Sequence, residues 1–360
     1  MRPRILFCTI TDAPGHGGIA RVSSLVWQTI QECFPGYCER LIASSSPTGE
    51  VTPSDKLRFS TAVAQRQFRG LCDVVFFDHL GLARTQNVVP KAARRPYGVF
   101  LHSIEAWAPL TRGRLAALKQ AKLRVANSHY TAARVSSAHA GVGPIKVCHL
   151  SLAQESLPEA IEAETAASPC EVLKLIRPES VLITGRIMKS ERHKGHAELI
   201  RAWPAVLREV PRAQLVIVGR GDGVNELRDL ADRVGVERHV LFTGFLDDRV
   251  LRQVYDRVSM FAMPSLYEGF GIVYLEAMFH HLACIGSVHD AAREVIADGR
   301  TGFLVDQGDL DGTASKIIQL LKDPCLRAQF GENGKRRLEE HFSPENFRVR
   351  FSSLLQELSQ

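Results

Sequence analysis

The sequence predicts an α/β protein made of two doubly wound domains, and three observations support this. Short apolar runs typical of buried strands alternate with helical patterns, which indicates βαβ units and parallel sheets. The alternation breaks once, at 151–178, where Glu, Ala, Ser and Pro dominate. The chain has 360 residues, 45% of them hydrophobic, and single cores stop growing at about 250–300 residues. We therefore expect domains at 1–165 and 172–343.

Six strands are predicted in the first half of the chain. They are the apolar runs at 4–9, 39–43, 74–77, 98–101, 123–126 and 145–150. Apolar residues recur at three- to four-residue spacing over 19–34, which predicts an amphipathic helix. Ser54 or Asp55 is the predicted cap of another helix that ends at Arg69.

The second half repeats the alternation. Its predicted strands are 181–185, 214–219, 240–243, 260–263, 283–287 and 302–305. Its predicted helices are 195–209, 223–234, 247–255, 271–281, 309–322 and 325–341. Ser343, Pro344 and Glu345 supply an N-cap, a proline at N1 and an early acid, so a last helix should reach about Leu358.

Composition narrows the class of protein. No apolar run approaches the ~20 residues of a membrane span, and the N-terminal run is shorter than the ~7–15-residue core of a signal peptide. The eight scattered cysteines indicate buried thiols in a reducing cytoplasm. Residues 1–170 carry 19 basic and 12 acidic residues, a net of +7, more than the +6 of the whole chain. Either an anionic partner or a solvated, arginine-rich surface explains that excess.

The segment 264–278 carries the strongest chemical signal. A predicted strand leads through a glycine-bearing loop into a helix, with Glu268 in the loop and Glu276 on the helix. Glycines at 269 and 271 let a ligand approach the backbone. The N–H groups at the helix start favour an anion such as a diphosphate, and a carboxylate further along suits sugar hydroxyls. The alternative is an ordinary strand–loop–helix with a surface glutamate.

Two cations form the second signal. Arg186 follows a buried strand, and Lys194 precedes the helix that begins at His196. Because strand C-termini face the ligand crevice in doubly wound folds, both cations can meet phosphate oxygens there. Taken alone, the segment is better explained by two solvated loop cations.

Other patterns carry less weight. The glycines of 218–223 suggest a dinucleotide fingerprint, but Val224 stands where its third glycine belongs. His193 and His196 have the spacing of metal ligands but no third ligand at a sensible distance in sequence. We expect no metal and no cofactor.

Together these segments resemble the retaining nucleotide-sugar glycosyltransferases of the GT-B fold, the group 1 family or glycosyltransferase family 4. The resemblance is strong over 181–306. It rests on Gly185-Arg186, Lys194-Gly195, Leu215–Gly221, Val240–Gly244, the Glu268-x7-Glu276 motif and Glu294 to Gly302. Two stretches depart from the family pattern. Phe279-His280-His281 replaces a small residue and glycine, and Asp290-Ala291-Ala292 replaces a pair of glycines before Glu294.

The resemblance implies roles for matching residues. Arg186 and Lys194 would clamp the diphosphate, Glu276 would bind the ribose, and Glu268 would lie near the donor sugar. The implied catalytic set is His102, Arg186, Lys194 and Glu268. The implied donor-binding set is Gly17, Gly18, Arg186, Lys194, Glu268, Gly269, Phe270, Gly271, Ile272 and Glu276. The Gly17-Gly18 loop would face donor and acceptor, and helix 344–360 would cross back to the first, acceptor-side domain.

The expected activity is metal-independent hexosyl transfer, with retained anomeric configuration, from a UDP- or GDP-linked sugar. The acceptor would be a glycan or a lipid-linked molecule, as in bacterial surface polysaccharide assembly. We expect a cytoplasmic enzyme, peripheral on an anionic membrane through basic residues of 55–124, without nucleic acid. The candidates there are Arg66, Arg69, Arg94, Arg95, Arg112 and Arg114. The alternatives are a same-fold nucleotide-sugar epimerase, which needs no acceptor, and a non-catalytic binding partner.

Overall fold

The computed structural model describes residues 3–11, 17–46, 50–152 and 171–360. Its contacts divide the chain into two compact units. The first unit holds 1–155 together with Ser343–Gln360, and the second holds 156–342. Most of the predicted linker, 153–170, lies outside the described residues.

The first unit contains one parallel sheet of six strands in the described part of the chain. The strands are β1 (Ile5–Thr9), β2 (Cys38–Ile42), β3 (Val74–Phe77), β4 (Tyr97–Leu101), β5 (Leu123–Ala126) and β6 (Lys146–Val147). The helices are α1 (Gly17–Cys33), α2 (Pro53–Phe68), α3 (Leu80–Ala83), α4 (Ile104–Trp107), α5 (Arg112–Gln120) and α6 (His129–Ala138). The strand order is β2-β1-β3-β4-β5-β6.

The second unit repeats this plan in its described residues. Its strands are β7 (Ser180–Thr184), β8 (Gln214–Val218), β9 (Val240–Gly244), β10 (Met260–Ala262), β11 (Ala283–Ser287) and β12 (Gly302–Val305). Its helices are α7 (Glu171–Lys174), α8 (His196–Glu209), α9 (Val224–Arg233), α10 (Asp248–Tyr255), α11 (Ile272–Phe279), α12 (Ala292–Val295), α13 (Leu310–Lys322) and α14 (Pro324–His341). The order β12-β11-β10-β7-β8-β9 is that of a dinucleotide-binding fold.

The last helix, α15 (Pro344–Ser359), packs on the first sheet. Ser343 caps it through a hydrogen bond to the backbone N–H of Asn346. The ring of Phe351 meets that of Phe76 edge to face at 5.1 Å, and Phe351 is fully buried. The predicted return of this helix to the first domain is confirmed.

Each sheet has a point where the order of its strands reverses, and ligands of doubly wound folds bind there. In the second unit this point lies between β7 and β10, and in the first it lies between β1 and β3. The loops after these four strands are therefore where the fold places a ligand.

Three local expectations were wrong. The cap of α2 is Thr52, which forms a capping box with Asp55, because the proline at position 53 occupies the first helical position. Gly17 and Gly18 open α1 rather than form a loop, and the preceding residues 12–16 lie outside the described chain. Strand β6 is an edge strand of two residues, where six were expected.

Two further features follow from the described residues. None of their helices is both long enough and apolar enough to span a membrane. Their cysteines are free thiols, of which Cys8, Cys72, Cys148 and Cys284 are buried and Cys325 is exposed.

Candidate functional site

Two loops meet at the switch point of the second sheet. The loop after β7 carries Arg186 and Lys194, and the loop after β10 carries Glu268. They touch at Gly195, whose φ is +89°. A Cβ at Gly195 would lie 2.6 Å from the carbonyl oxygen of Pro264, so only glycine permits this approach.

The two loops are joined by an ion pair. Lys194 Nζ lies 3.5 Å from Glu268 Oε2, and the two side chains are only 18% and 22% exposed. Partial burial makes this pair less screened than a surface pair. The structure therefore brings together two of the predicted catalytic residues, with opposite charges in contact.

Arg186 has a different partner. Its Nη2 lies 2.6 Å from Glu191 Oε1, and the arginine side chain remains 67% exposed. An exposed pair of this kind contributes little to stability, so an anionic ligand can replace Glu191 at low energetic cost. The predicted clamp thus consists of an accessible arginine and a more buried lysine.

Charged side chains of both loops shift the pKa of His193. Burial lowers the pKa of the His193 imidazole, and the charge of Lys194 lowers it further. Glu191 and Glu268 act in the opposite direction, and Arg186 adds to the lowering. The His193 imidazole is therefore harder to protonate than that of a free histidine, although two carboxylates lie near it.

The start of α11 completes the anion-binding features. Gly271 is the N-cap with φ +88°, and no side chain caps the helix. The first N–H groups of a helix have no intrahelical acceptor and carry a partial positive charge. These groups at Gly271 and Ile272 have the chemistry to bind phosphate oxygens. Phe270 is fully buried, with its ring 5.7 Å from that of Phe342, so only its backbone can contact a ligand.

Glu276 is held by a residue that the sequence did not single out. The Tyr255 hydroxyl donates a hydrogen bond to Glu276 Oε2 at 3.0 Å. The ring of His280 stacks on Tyr255 at 5.2 Å and 9°, and His280 Nδ1 lies 2.6 Å from Asp256 Oδ1. One of the stretches that depart from the family pattern thus braces the partner of Glu276.

His102 belongs to the first unit, after β4. It is 5% exposed, and its Nε2 lies 2.5 Å from the carbonyl oxygen of Asp78. Its backbone N–H donates to Glu105 at 2.7 Å, and its carbonyl accepts from Asn127 at 2.7 Å. The imidazole is therefore fixed at the C-terminal edge of the first sheet, beside the loop after β3.

The predicted residues divide between the two units. Gly17, Gly18 and His102 belong to the first unit, and Arg186, Lys194, Glu268, Gly269, Phe270, Gly271, Ile272 and Glu276 to the second. The residues that sequence reasoning missed are Glu191, Tyr255 and Asp290. Of these three, only Asp290 is marked in the sequence, because it stands where the family pattern has glycine.

The remaining motifs have structural explanations. The 219–223 loop braces the loop of Arg186, since Asp222 accepts from the Lys189 N–H at 2.8 Å and Gly223 donates to the Ile187 carbonyl at 2.9 Å. His196 is 5% exposed, and burial lowers its pKa to about 4. Within the described ranges, no group of three metal-ligating side chains includes it.

A known protein family matches the part of the chain that contains these two loops. Residues 177–337 match the family described as "Glycosyl transferases group 1". This stretch contains both loops and α11.

Curated relatives point the same way. A GDP-mannose-dependent alpha-(1-6)-phosphatidylinositol monomannoside mannosyltransferase of Mycolicibacterium smegmatis is 31% identical over 234 residues, 62% of this chain and 58% of that protein. The capsular polysaccharide biosynthesis glycosyltransferase CapM of Staphylococcus aureus is 30% identical over 173 residues, 47% of this chain and 44% of that protein. The chain spans about half the length of the curated relatives it matches.

Solved structures share the fold along the whole chain. Anabaena HepE in complex with UDP-glucose aligns with a TM-score of 0.77 and 22% identity, covering 99% of this chain and 100% of that one. Sucrose-phosphate synthase from Thermosynechococcus elongatus aligns with a TM-score of 0.79 and 18% identity, covering 99% of each chain. These likenesses confirm the predicted GT-B fold.

Proposed function

Residues 177–337 match the group 1 glycosyltransferase family, and from this match we propose that the chain is a retaining glycosyltransferase. It moves a sugar from a UDP- or GDP-linked donor to a glycan or lipid-linked acceptor. The Mycolicibacterium relative is named for a phosphatidylinositol mannoside and the Staphylococcus relative for capsular polysaccharide, which supports acceptors of this kind.

The observation that carries the proposal is the meeting of three kinds of group in the segments that follow the two strands of one switch point. Arg186 and Lys194 supply positive charge, and the uncapped start of α11 supplies N–H donors. Glu268 and Glu276 supply acceptors for hydroxyl groups. A nucleoside diphosphate sugar needs these features together, because its two phosphates are anionic while its ribose and its transferred sugar carry hydroxyls.

Chemistry at this site is dominated by the leaving group. The bond between the anomeric carbon and the diphosphate breaks, the bond to the acceptor oxygen forms, and the acceptor proton passes to the departing phosphate. Negative charge develops on the diphosphate, where Arg186, Lys194 and the α11 N-terminus can stabilise it. In this proposal, these groups take the role that a metal ion would otherwise have in stabilising the diphosphate.

The test is donor turnover with a panel of UDP-, GDP- and ADP-linked sugars and glycan or lipid-linked acceptors. We expect release of nucleoside diphosphate only when acceptor is present, a product with the donor's anomeric configuration by NMR, and full activity in EDTA. Formation of an epimer without acceptor would identify an epimerase instead. Absence of binding to every nucleotide would identify a non-catalytic partner.

We also propose that the first unit docks on anionic membrane through α2. Leu57 and Phe68 are 71% and 78% exposed, and their spacing of eleven residues places them on one stripe of the helix. Lys56, Arg58 and Arg69 are exposed beside them. An apolar stripe flanked by cations is the pattern of a helix lying in a membrane interface.

The structure revises which arginines can take part. Of the six candidates, Arg69 and Arg112 are exposed, whereas the others are half-buried. Arg66 lies 2.5 Å from Glu39, and Arg94 donates to Gln120 and to the carbonyl of Val89. The docking surface is therefore defined by the α2 stripe and its neighbouring cations rather than by the original six.

A further inference from the structure

Asp290 is a fully buried carboxylate in the loop between β11 and α12. Its Oδ2 accepts hydrogen bonds from the Ser265 hydroxyl and, at 3.1 Å, from the backbone N–H of Glu268. Its Oδ1 accepts from the backbone N–H of Ala292 at 2.9 Å. Its two oxygens thus link the α12 start to the loop that carries Glu268.

Both backbone polar groups of Glu268 are bound by this one neighbour loop. Asp290 binds its N–H, and the N–H of Ala291 donates to its carbonyl at 3.2 Å. A residue held on both sides in this way has its backbone orientation fixed, and with it the direction of its side chain. The Glu268 carboxylate then lies within 3.5 Å of Lys194 Nζ.

A buried carboxylate requires compensation, since removing an ionised group from water is costly without hydrogen bonds. The pKa of Asp290 is raised to about 7. Burial and the nearby Glu268 charge raise it, whereas the hydrogen bonds from Ser265, Ala292 and Glu268 lower it. The buried Tyr274 faces Asp290 from α11, and burial and the Asp290 charge raise its pKa. Two backbone N–H groups bind this buried acid, and the hydrogen bonds fix the loop that carries Glu268 against the start of α12.

We propose that Asp290 is a positioning residue that orients Glu268 toward the hydroxyls of the donor's sugar. The inference rests on the proposed function, in which Glu268 contacts that sugar. The hydrogen bonds of the Asp290 carboxylate go to Ser265, Glu268 and Ala292, rather than to Arg186, Lys194 or the N–H groups that open α11. Its loss should therefore impair recognition of the sugar more than recognition of the nucleotide.

The first experiment measures how the Asp290→Asn variant binds two ligands. The amide nitrogen of asparagine cannot accept a hydrogen bond, so one acceptor of Asp290 is lost. Affinities are measured by calorimetry for the nucleoside diphosphate alone and for the intact nucleotide sugar. We expect the variant to lose about tenfold in affinity for the nucleotide sugar, the effect of one hydrogen bond to a charged group, and less than about twofold for the diphosphate. Equal losses for both ligands would overturn the proposal.

Asp306→Asn is the matched control. Asp306 is an exposed carboxylate that pairs with His289, the neighbour of Asp290, at 3.0 Å, and it accepts from the Gly308 N–H at 2.9 Å. It makes loop contacts of the same kind without touching the loop of Glu268. Both affinities should match those of the parent protein, and a sugar-specific loss in this variant as well would count against a role particular to Asp290.

The second experiment needs no ligand. Hydrogen exchange of peptides covering 264–271 should be faster in Asp290→Asn than in the parent, and unchanged in Asp306→Asn. Unchanged exchange in Asp290→Asn would overturn the positioning role whatever the enzyme's donor. A parent protein that binds no nucleotide sugar would instead refute the proposed function, so the two failures are distinguishable.

Discussion

The carboxylate of Glu276 is oriented by its neighbours before a ligand arrives. Tyr255 donates to it at 3.0 Å, and Tyr255 is itself covered by the ring of His280. A carboxylate fixed in this way loses little side-chain freedom on binding, which lowers the entropic cost of recognition. Glu268 is also oriented in advance, because its backbone is hydrogen-bonded by Asp290 and Ala291.

Replacing Glu276 should weaken nucleotide binding. If its carboxylate binds the ribose hydroxyls, Glu276→Ala should cost about 1.5–3 kcal/mol of binding free energy for UDP or GDP, the range for hydrogen bonds to charged groups. Asp256→Ala is the matched control, because it removes only the outer partner of His280 and should have a much smaller effect. A Glu276→Ala protein that binds both nucleotides like the parent would disprove the ribose assignment.

Protonation of Asp290 should appear in the pH dependence of stability. Its pKa is raised to about 7 in the folded protein, whereas an unfolded aspartate titrates near 3.9. Between those values the folded state binds the extra proton, so this group lowers the free energy of unfolding as pH rises from about 4 to 7. Urea unfolding across this range should show Asp290→Asn gaining stability relative to the parent as pH rises, and parallel curves would contradict the shift.

Among the helices and strands, sequence periodicity predicted most of the sheet strands. The strands at 74–77, 123–126, 283–287 and 302–305 occur where the apolar runs predicted them, because fully buried parallel strands have continuous apolar sequences. Helix α5 was not predicted, since only Ala117 and Leu118 of its residues are buried and its apolar pattern is weak.

The contacts that prepare the site could not be predicted in the same way. Tyr255 and Glu276 are 21 residues apart, and Glu268 and Asp290 are 22 apart. In each pair, one residue precedes a strand in the sequence and the other follows it. Hydrophobic periodicity within a single element does not predict such a contact. The motif residues were recognisable from the sequence, whereas the residues that hold them required the fold.

The cap of α2 offers a test at this scale. The Thr52 side chain accepts from the Asp55 N–H at 3.1 Å, so Thr52→Ala should lower the free energy of unfolding by about 0.5–2 kcal/mol. Ser54→Ala, at the cap position expected from the sequence, should have a clearly smaller effect. Denaturant unfolding of the two variants checks this, and a larger loss in Ser54→Ala would show that the capping box is misassigned.

At the scale of the molecule, charge and exposed apolar surface coincide in the first unit. Residues 1–170 hold the excess positive charge, and α2 exposes Leu57 and Phe68. If this surface docks on membrane, binding to anionic vesicles should exceed binding to neutral vesicles. It should fall as salt rises from 0.1 M to 1 M, because the Debye length shrinks from about 10 Å to about 3 Å.

Vesicle cosedimentation of two variants isolates the α2 stripe. The double variant Leu57→Ala, Phe68→Ala should lose most binding to anionic vesicles. Leu175→Ala, which removes a leucine 55% exposed in the second unit, should bind like the parent. Equal binding of all three proteins, or equal binding to neutral and anionic vesicles, would refute membrane docking. The basic residues would then be an ordinary solvated surface.

The central claim is that fixed cations stabilise the diphosphate as it leaves, and Lys194→Met tests it most directly. Turnover of the nucleotide sugar is measured in EDTA for the parent, for Lys194→Met and for Lys189→Met, a control whose lysine pairs with Glu226 outside the site. We predict that kcat falls about 10²–10³-fold in Lys194→Met, as when one preorganised donor is removed. Affinity for the nucleoside diphosphate should change far less, and Lys189→Met should behave like the parent. Full turnover by Lys194→Met, or a parent enzyme silenced by EDTA and restored by Mn²⁺, would contradict the account.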